Sequence, residues 1–333
     1  MAIAEFRQDL VSGHWVLIST ERAKRKTSAV VERLHQPKES CPFEDPVASN
    51  GGKPSLVFSH GKRTSYSNDW TTLVVRNKYP ALQEGVCGPV RQIGPFNVAD
   101  AFGYHELVIT RDHDRSFAQF SHEEVKEVLL AYRERYREIA QDDCGAYILI
   151  FHNHGKAAGA SLYHHHSQII STPILPPEVI TSIAGAERYH RDHGKRVHDV
   201  MLEWELKEGK RIVYENGHFV VLCPYASKTP YEMRIFPKVG RPRFDDISDG
   251  ELHALADALS VVTKKLYALD NVDYNFYIHT APVKKDSTTD YSFYHWHIEV
   301  VPRVGIVAGF ELATAIYINS MDPDQAAQEL RKL

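Results

Sequence analysis

GASLYHHHSQII, residues 159–170, sets His164, His165 and His166 in succession, behind Gly-Ala-Ser and ahead of Ser167 and Gln168. The run reads as a strand. Alternate side chains of a strand share a face, so His164, His166 and Gln168 point one way and His165 and Ser167 the other. A second stretch, YHWHIEVVP (294–302), places His295, His297 and Glu299 on a common face in the same manner. Polar residues on an exposed strand face are the plain alternative. A repeated His-x-His makes that alternative less attractive than it would be for a lone histidine.

The order of elements leading to each stretch is also repeated. In the first half TTLVVRNKYPAL reads as a strand entering a turn, and HELVIT (105–110) as a second strand. Ser121 with Glu124 forms a capping box. It opens a helix whose Val125, Leu129, Tyr132, Tyr136 and Ile139 fall near helical spacing. The strand AYILIFHN follows, then a glycine-containing loop, then the histidine run. In the second half HFVVLCPY (218–225) and YEMRIFPK (231–238) are the strands. Ser248 with Glu251 makes the second capping box, and Leu252, Leu255, Leu259 and Val262 line one helix face. NFYIHTA (275–281) then leads to the second His-x-His. We read a duplicated strand–strand–helix–strand–strand unit of antiparallel α+β architecture. The boundary is expected in the polar stretch 186–196.

Composition bounds the function. The chain has 333 residues with 43% hydrophobic and 25% charged, ordinary for a soluble protein of two domains or two similar halves. A formal net charge of −4 does not suggest a general nucleic-acid binder. The four cysteines, Cys41, Cys87, Cys144 and Cys223, show neither CxxC pairing nor the density of a disulfide scaffold. With no secretory signal and no long apolar run, the expectation is a cytoplasmic protein that does not enter a membrane.

The first histidine run carries more chemistry than the second. It follows NHGKAAGAS (153–161), whose Gly155, Gly159 and Ser161 suit a loop that brings backbone N–H groups and a hydroxyl to a phosphate. The corresponding loop of the second half, TAPVKKDSTTDYSF, has no glycine. Neutral imidazole is a good nucleophile towards phosphorus, and Gln168 can donate to non-bridging oxygens where negative charge gathers. His166, beside Gln168, is the candidate nucleophile, and His164 is left for another role, with zinc the first candidate.

These residues together resemble the galactose-1-phosphate uridylyltransferase branch of the histidine-triad superfamily. The resemblance runs through RQDLVSGHWVLISTERAKR (7–25), SCPF (40–43), VVRNKYPAL (74–82), GYHELVITRDHDRSF (103–117), GASLYHHHSQI, CPYASKTPYEMRIFPK and AGFELATAIYINSMDPDQAAQEL. It implies two tandem histidine-triad-like units with antiparallel sheets and flanking helices: a catalytic N-terminal domain over 1–190 and a C-terminal domain over 191–333. It implies a homodimer acting by ping-pong on a nucleotide sugar. UDP-glucose would give a uridylyl-histidine at His166, and a hexose 1-phosphate, usually galactose 1-phosphate, would accept the uridylyl group. Gln168 and Ser161 match phosphate-contacting positions, with Gly159 in the same loop. Arg22, Arg25, Asn77 and Asn153 match positions lining the nucleotide and phosphate site. Gly309, Phe310 and Glu311 resemble a segment that helps form a sugar site, often across the dimer.

The resemblance also implies one structural zinc site at Cys41, Glu44, His113 and His164. Glu44 stands where the family has a second cysteine. Zinc accepts carboxylate oxygen, so the set remains chemically competent, with weakened affinity as the expectation. Ser182 falls where some relatives place a glutamate for a second metal, and RVHD (196–199) replaces a cysteine pair, so no second metal is expected. The family triad is His-Pro-His-Gly-Gln, whereas this chain has His-His-His-Ser-Gln. That ending resembles relatives that phosphorolyse nucleotide sugars such as ADP-glucose. Nucleotide-sugar phosphorylase is therefore the alternative activity, and a non-catalytic nucleotide-binding protein the alternative class.

Overall fold

The computed structural model describes residues 4–24, 35–50, 52–142, 144–283 and 290–333. The strands are β1 (Ala4–Gln8), β2 (Trp15–Ser19), β3 (Leu56–Ser59), β4 (Lys62–Arg63), β5 (Thr72–Arg76), β6 (Arg91–Ile93), β7 (Phe96–Val98), β8 (Tyr104–Thr110), β9 (Tyr147–His154) and β10 (His166–Thr172). They continue as β11 (Ile212–Glu215), β12 (Phe219–Leu222), β13 (Met233–Pro237), β14 (Tyr274–His279), β15 (His297–Pro302) and β16 (Tyr317–Asn319). The helices are α1 (Pro46–Asn50), α2 (His122–Ile139), α3 (Pro177–His193), α4 (Val197–Glu208), α5 (Asp249–Ala268), α6 (Gly309–Thr314) and α7 (Pro323–Lys332).

One sheet of eleven strands, ordered β11-β12-β13-β15-β14-β9-β10-β8-β5-β3-β4, dominates the molecule, and its neighbours pair antiparallel. Read outward from the β9–β14 seam, the order β9-β10-β8-β5 on one side answers β14-β15-β13-β12 on the other. The two helices at matching places in the chain, α2 and α5, pack on each other and on one sheet face. Both begin with a full capping box, Ser121 with Glu124 and Ser248 with Glu251. A capping serine is worth about 1 kcal/mol, and the reciprocal glutamate bond satisfies a further N–H. Tyr132, Tyr136, Leu255, Leu259 and Val262 are fully buried in the shared core. The stretch 186–196, read as a boundary, is helical as far as His193.

Among the described residues the opposite sheet face is covered at both ends and open in the middle. Cys41, Phe43, Trp70, Leu73, Val75, Leu107 and Ile109 close it over β5 and β8. Leu202 of α4 closes it with Val220, Leu222 and Phe236 over β12 and β13. Between these layers a cavity of about 510 Å³ lies along β9 and β14, lined by Leu149, Phe151, Asn153, Asn275 and Tyr277.

Two local readings differ from the structure. The first histidine strand begins at His166 rather than His164, because the chain bends at Tyr163–His164 before joining β8 and β9. Cys87 and Cys144 form a disulfide with Cα atoms 5.3 Å apart. They are 57 residues apart in sequence, so spacing gave no sign of the pair.

Candidate active site and metal centre

On β10, His166 pairs across to Ile109, and Gln168 pairs to Leu107 on one side and Phe151 on the other. Both side chains therefore face the open side of the sheet. His165 and Ser167 face the helices, as strand alternation requires. The Tyr132 hydroxyl donates to Ser167 Oγ at 2.5 Å. The His165 ring lies 4.4 Å from Phe117 and 4.7 Å from His152, and burial holds its pKa well below the ordinary value. The middle histidine is a neutral core residue.

His166 is oriented by its own backbone. Its Nδ1 lies 2.9 Å from the His164 carbonyl, which can only accept, so Nδ1 carries the proton and Nε2 keeps the lone pair. Burial lowers the pKa, and the bond to the carbonyl opposes that without reversing it. The ring is thus neutral and nucleophilic near pH 7. It lines a cavity of about 330 Å³ together with Asn153, Gly155, Ala160 and Tyr163.

Gln168 is held by a residue the sequence reading missed. The Ala81 amide donates to His105 Nδ1 at 3.0 Å, which places the imidazole proton on Nε2. That Nε2–H donates to Gln168 Oε1 at 2.8 Å, leaving the Gln168 amide nitrogen to donate elsewhere. Asn77 Nδ2 also lies 3.1 Å from His105 Nε2, a contact between two donors that sets Asn77 beside the ring without bonding it, while Asn77 Oδ1 accepts from the Tyr79 amide. The signal was available: His105 alternates with Leu107 and Ile109 and so faces the same side as Gln168.

The preceding loop is tightly held. Gly155 has φ +82°, and a Cβ there would meet Asp273 Oδ1 at 2.0 Å, so no other residue fits. Gly159, at φ +85°, ends the short turn Lys156–Ala158 in left-handed backbone. Ser161 is exposed between two residues that line the cavity.

Other expected residues lie elsewhere. Arg22 is exposed on the turn Thr20–Lys24 and lines none of the cavities described here, and Arg25 lies outside the described residues. Gly309, Phe310 and Glu311 form the first turn of α6, which packs beside β16, and Phe310 is 46% exposed. Within one chain this segment does not line the His166 cavity.

Three of the four expected metal ligands, Cys41, His113 and His164, cluster closely enough to hold a cation, and Glu44 stands beside the two histidines. Cys41 Sγ lies 3.5 Å from His164 Nδ1. Glu44 Oε1 lies 3.2 Å from His113 Nδ1 and 3.6 Å from His164 Nδ1. His113 Nε2 bonds the Gln36 carbonyl at 2.8 Å, and His164 Nε2 bonds the Thr110 carbonyl at 2.7 Å. Each carbonyl fixes the proton on Nε2, so both Nδ1 lone pairs face inward. Glu44 Oε1 and His113 Nδ1 are buried with no hydrogen-bond partner among the described residues. Two imidazole lone pairs, a carboxylate and a sulfur, with the weak Cys41 S–H as the donor facing His164, are a donor set that suits a zinc ion. Burial pushes the Cys41 thiol up, a penalty that a bound cation would reverse.

The second His-x-His copies the backbone device but not the opening. His297 Nδ1 lies 3.2 Å from the His295 carbonyl. Its Nε2, however, faces Glu299, and its ring stacks on His279 at 5.0 Å and Phe236 at 4.7 Å. His279, His297 and Glu299 cluster closely enough to hold a cation. The buried Arg234 guanidinium already provides one, 3.0 Å from Glu299 and 3.3 Å from Asp9. The cavity beside it measures about 30 Å³.

Known proteins resemble this chain along nearly its whole length. The family model described as "Galactose-1-phosphate uridyl transferase, N-terminal domain" matches residues 2–176, and one described as a domain of unknown function, DUF4921, matches 97–332. An ADP-glucose phosphorylase of Arabidopsis thaliana is 31% identical over 99% of this chain and 93% of its own. A galactose-1-phosphate uridylyltransferase of Thermotoga maritima is 28% identical over 98% of each. A crystal structure of an Arabidopsis ADP-glucose phosphorylase with bound ADP-glucose superposes with a TM-score of 0.82 at 29% identity, covering 99% of both chains. The model match over residues 2–176 and the relative that is 31% identical along nearly the whole chain show that the chain belongs to the galactose-1-phosphate uridyl transferase family.

Proposed function

We propose that the protein transfers a nucleotidyl group from a nucleoside diphosphate sugar through a covalent nucleotidyl-histidine at His166, with inorganic phosphate as the first-choice acceptor. The single observation that carries the covalent step is the His166 ring: neutral, with Nδ1 on the His164 carbonyl and the Nε2 lone pair left to react. Nε2 attacks the α-phosphorus, the P–N bond forms, and the P–O bond to the sugar 1-phosphate breaks. Gln168, its carbonyl held by His105, donates its amide N–H to a non-bridging oxygen as charge builds there. Asn153 and Ser161 flank the same phosphoryl group. An acceptor phosphate oxygen then attacks phosphorus, and the electron pair of the P–N bond returns to Nε2.

The choice of phosphate and ADP-glucose is supported by the His-Ser-Gln ending and by full-length similarity to an ADP-glucose phosphorylase. Full-length similarity to the Thermotoga uridylyltransferase supports UDP-glucose with galactose 1-phosphate as the second reading. The test compares kcat/KM for ADP-glucose plus phosphate with that for UDP-glucose plus galactose 1-phosphate. The first pair is expected to win by at least about tenfold, and the reverse order would install the second reading.

Zinc at Cys41, Glu44, His113 and His164 would act structurally, tying the loop bearing Cys41 to the residue that precedes the nucleophile by two. We further read the chain as two histidine-triad-like units, 1–190 and 191–333, assembled as a homodimer. Exposed Ile306, Phe310 and Leu312, on and beside α6, support a second copy covering that segment. Sedimentation at micromolar concentration should give twice the chain mass.

A further inference from the structure

Asn153 and His166 are neighbours on the open face. Strand β10 pairs with β9 at Ser167–His152, and His166 and Asn153 are each the next residue along their strands. An asparagine there can present either its N–H₂ or its carbonyl to a bound phosphoryl group. Only the first is favourable towards a charged oxygen. What fixes the choice lies in the other half of the chain.

Asn275 on β14 sits directly across from Asn153 and is 7% exposed. Arg303, just past β15, donates from Nε to Asn275 Oδ1 at 2.5 Å. A guanidinium has no acceptor, so this bond has one polarity only. It compels Asn275 to turn its N–H₂ the other way. There the two hydrogens meet two acceptors, Asn153 Oδ1 at 2.7 Å and the Ala158 carbonyl at 2.8 Å. With its Oδ1 engaged, Asn153 must direct its own N–H₂ into the cavity. The same bond to Ala158 holds the turn of the phosphate loop. Asp273, two residues before Asn275, accepts the Ala157 N–H at 2.7 Å, and the Arg303 amide donates to the Asp273 carbonyl at 2.7 Å.

We propose that Arg303 and Asn275 are positioning residues of the nucleotidyl-transfer site: a one-way hydrogen-bond relay from the second half that locks Asn153 as a donor beside His166. The inference rests on the nucleotidyl-histidine reading. It also gives the second half a task in catalysis although its own His-x-His is closed. Neither Arg303 nor Asn275 touches the phosphoryl group in this role. They act through Asn153 and the loop.

The experiment inverts the relay without changing its shape. In Asn275→Asp the new carboxylate still accepts from Arg303 but cannot donate to Asn153 or Ala158. Asn153 then turns its N–H₂ towards the carboxylate and its carbonyl towards the phosphate. The rate of adduct formation at His166, at saturating ADP-glucose without phosphate, is expected to fall roughly 10- to 100-fold, the scale at which supporting partners act. In an Asn153→Ala background the same substitution should cost only a fraction of that loss, because Asn153 is no longer there to reorient and only the bond to the Ala158 carbonyl is lost. Arg303→Glu, at the cavity rim, replaces the donor by an acceptor and should show the same rate loss and the same dependence on Asn153. It decides the matter by these criteria if Asn275→Asp does not fold. An unchanged rate in either variant overturns the relay. So does an equal loss in the Asn153→Ala background, which would mark a merely structural effect. If the unaltered protein forms no adduct with any nucleotide sugar, the covalent reading fails first and the relay with it.

Discussion

Glu44→Gln separates a metal-filled from a metal-free centre at Cys41, Glu44, His113 and His164. Both Nδ1 lone pairs point at Glu44 Oε1, at 3.2 and 3.6 Å, and among the described residues that oxygen has no donor. In a metal-free protein the added amide N–H₂ would be welcome, since it can donate to one or both imidazoles. Relieving buried unsatisfied groups of this kind is worth about 1–3 kcal/mol each, so the variant would be more stable. In a zinc-filled protein the change removes a charged ligand. Loss of even a supporting partner weakens metal sites about 10- to 100-fold, so a first ligand should cost at least about 1.4–2.7 kcal/mol. For a chain of this length that corresponds to a melting shift of about 2–4 °C, at a free zinc concentration that saturates the parent protein but not the variant. The assay is thermal melting of both proteins in zinc-buffered solution and again after chelation, with metal content measured in parallel. We expect one zinc per chain, a lower melting temperature for Glu44→Gln with zinc present, and a smaller or reversed difference after chelation. A variant that is more stable than the parent under both conditions, with no metal in either protein, would refute the reasoning.

Three further outcomes follow from the structure. His105→Ala releases Gln168 Oε1 and should slow adduct formation roughly tenfold while leaving the melting temperature nearly unchanged, as single-turnover mass measurements would register. Arg234→Leu leaves Asp9, Glu232 and Glu299 buried without their guanidinium and should cost about 3–5 kcal/mol in urea unfolding, whereas His297→Ala should not abolish the adduct. Acid should destabilise the protein partly through Asp9. Burial alone would raise its pKa, but Arg234 and the Ser12 hydrogen bonds hold it below the ordinary value. A depressed folded pKa contributes stability that is present above about pH 4 and is lost as pH falls through the folded value, so melting temperature should decline below pH 4, and less steeply in Asp9→Asn.

Much of this was legible in the chain because its signals are local. The two capping boxes, the strand alternation that divides His166 and Gln168 from His165 and Ser167, and the glycines of the loop all act within a few residues. Among the candidate metal ligands His164 was legible from its own run, whereas Cys41, Glu44 and His113 were legible only through resemblance, since they share no short spacing with it. What stayed hidden depends on contacts between distant segments. The His105 bond to Gln168 and the Asn275 bond to Asn153 join strands 63 and 122 residues apart. The closure of the second His-x-His depends on Arg234, three strands from the seam in the sheet order, whose charge carried no motif. The late start of β10 has a physical cause as well: His164 is drawn towards Cys41 and the Thr110 carbonyl and cannot also join the ladder.

The most direct test of the central claim is the intact mass of the protein after mixing with ADP-glucose, and separately with UDP-glucose, in the absence of any acceptor. The account expects a mass increase of one nucleoside monophosphate, AMP foremost, that is lost on adding phosphate and is absent from His166→Ala. Protein that binds these nucleotide sugars yet gains no mass, or gains it equally in His166→Ala, would contradict covalent catalysis by His166.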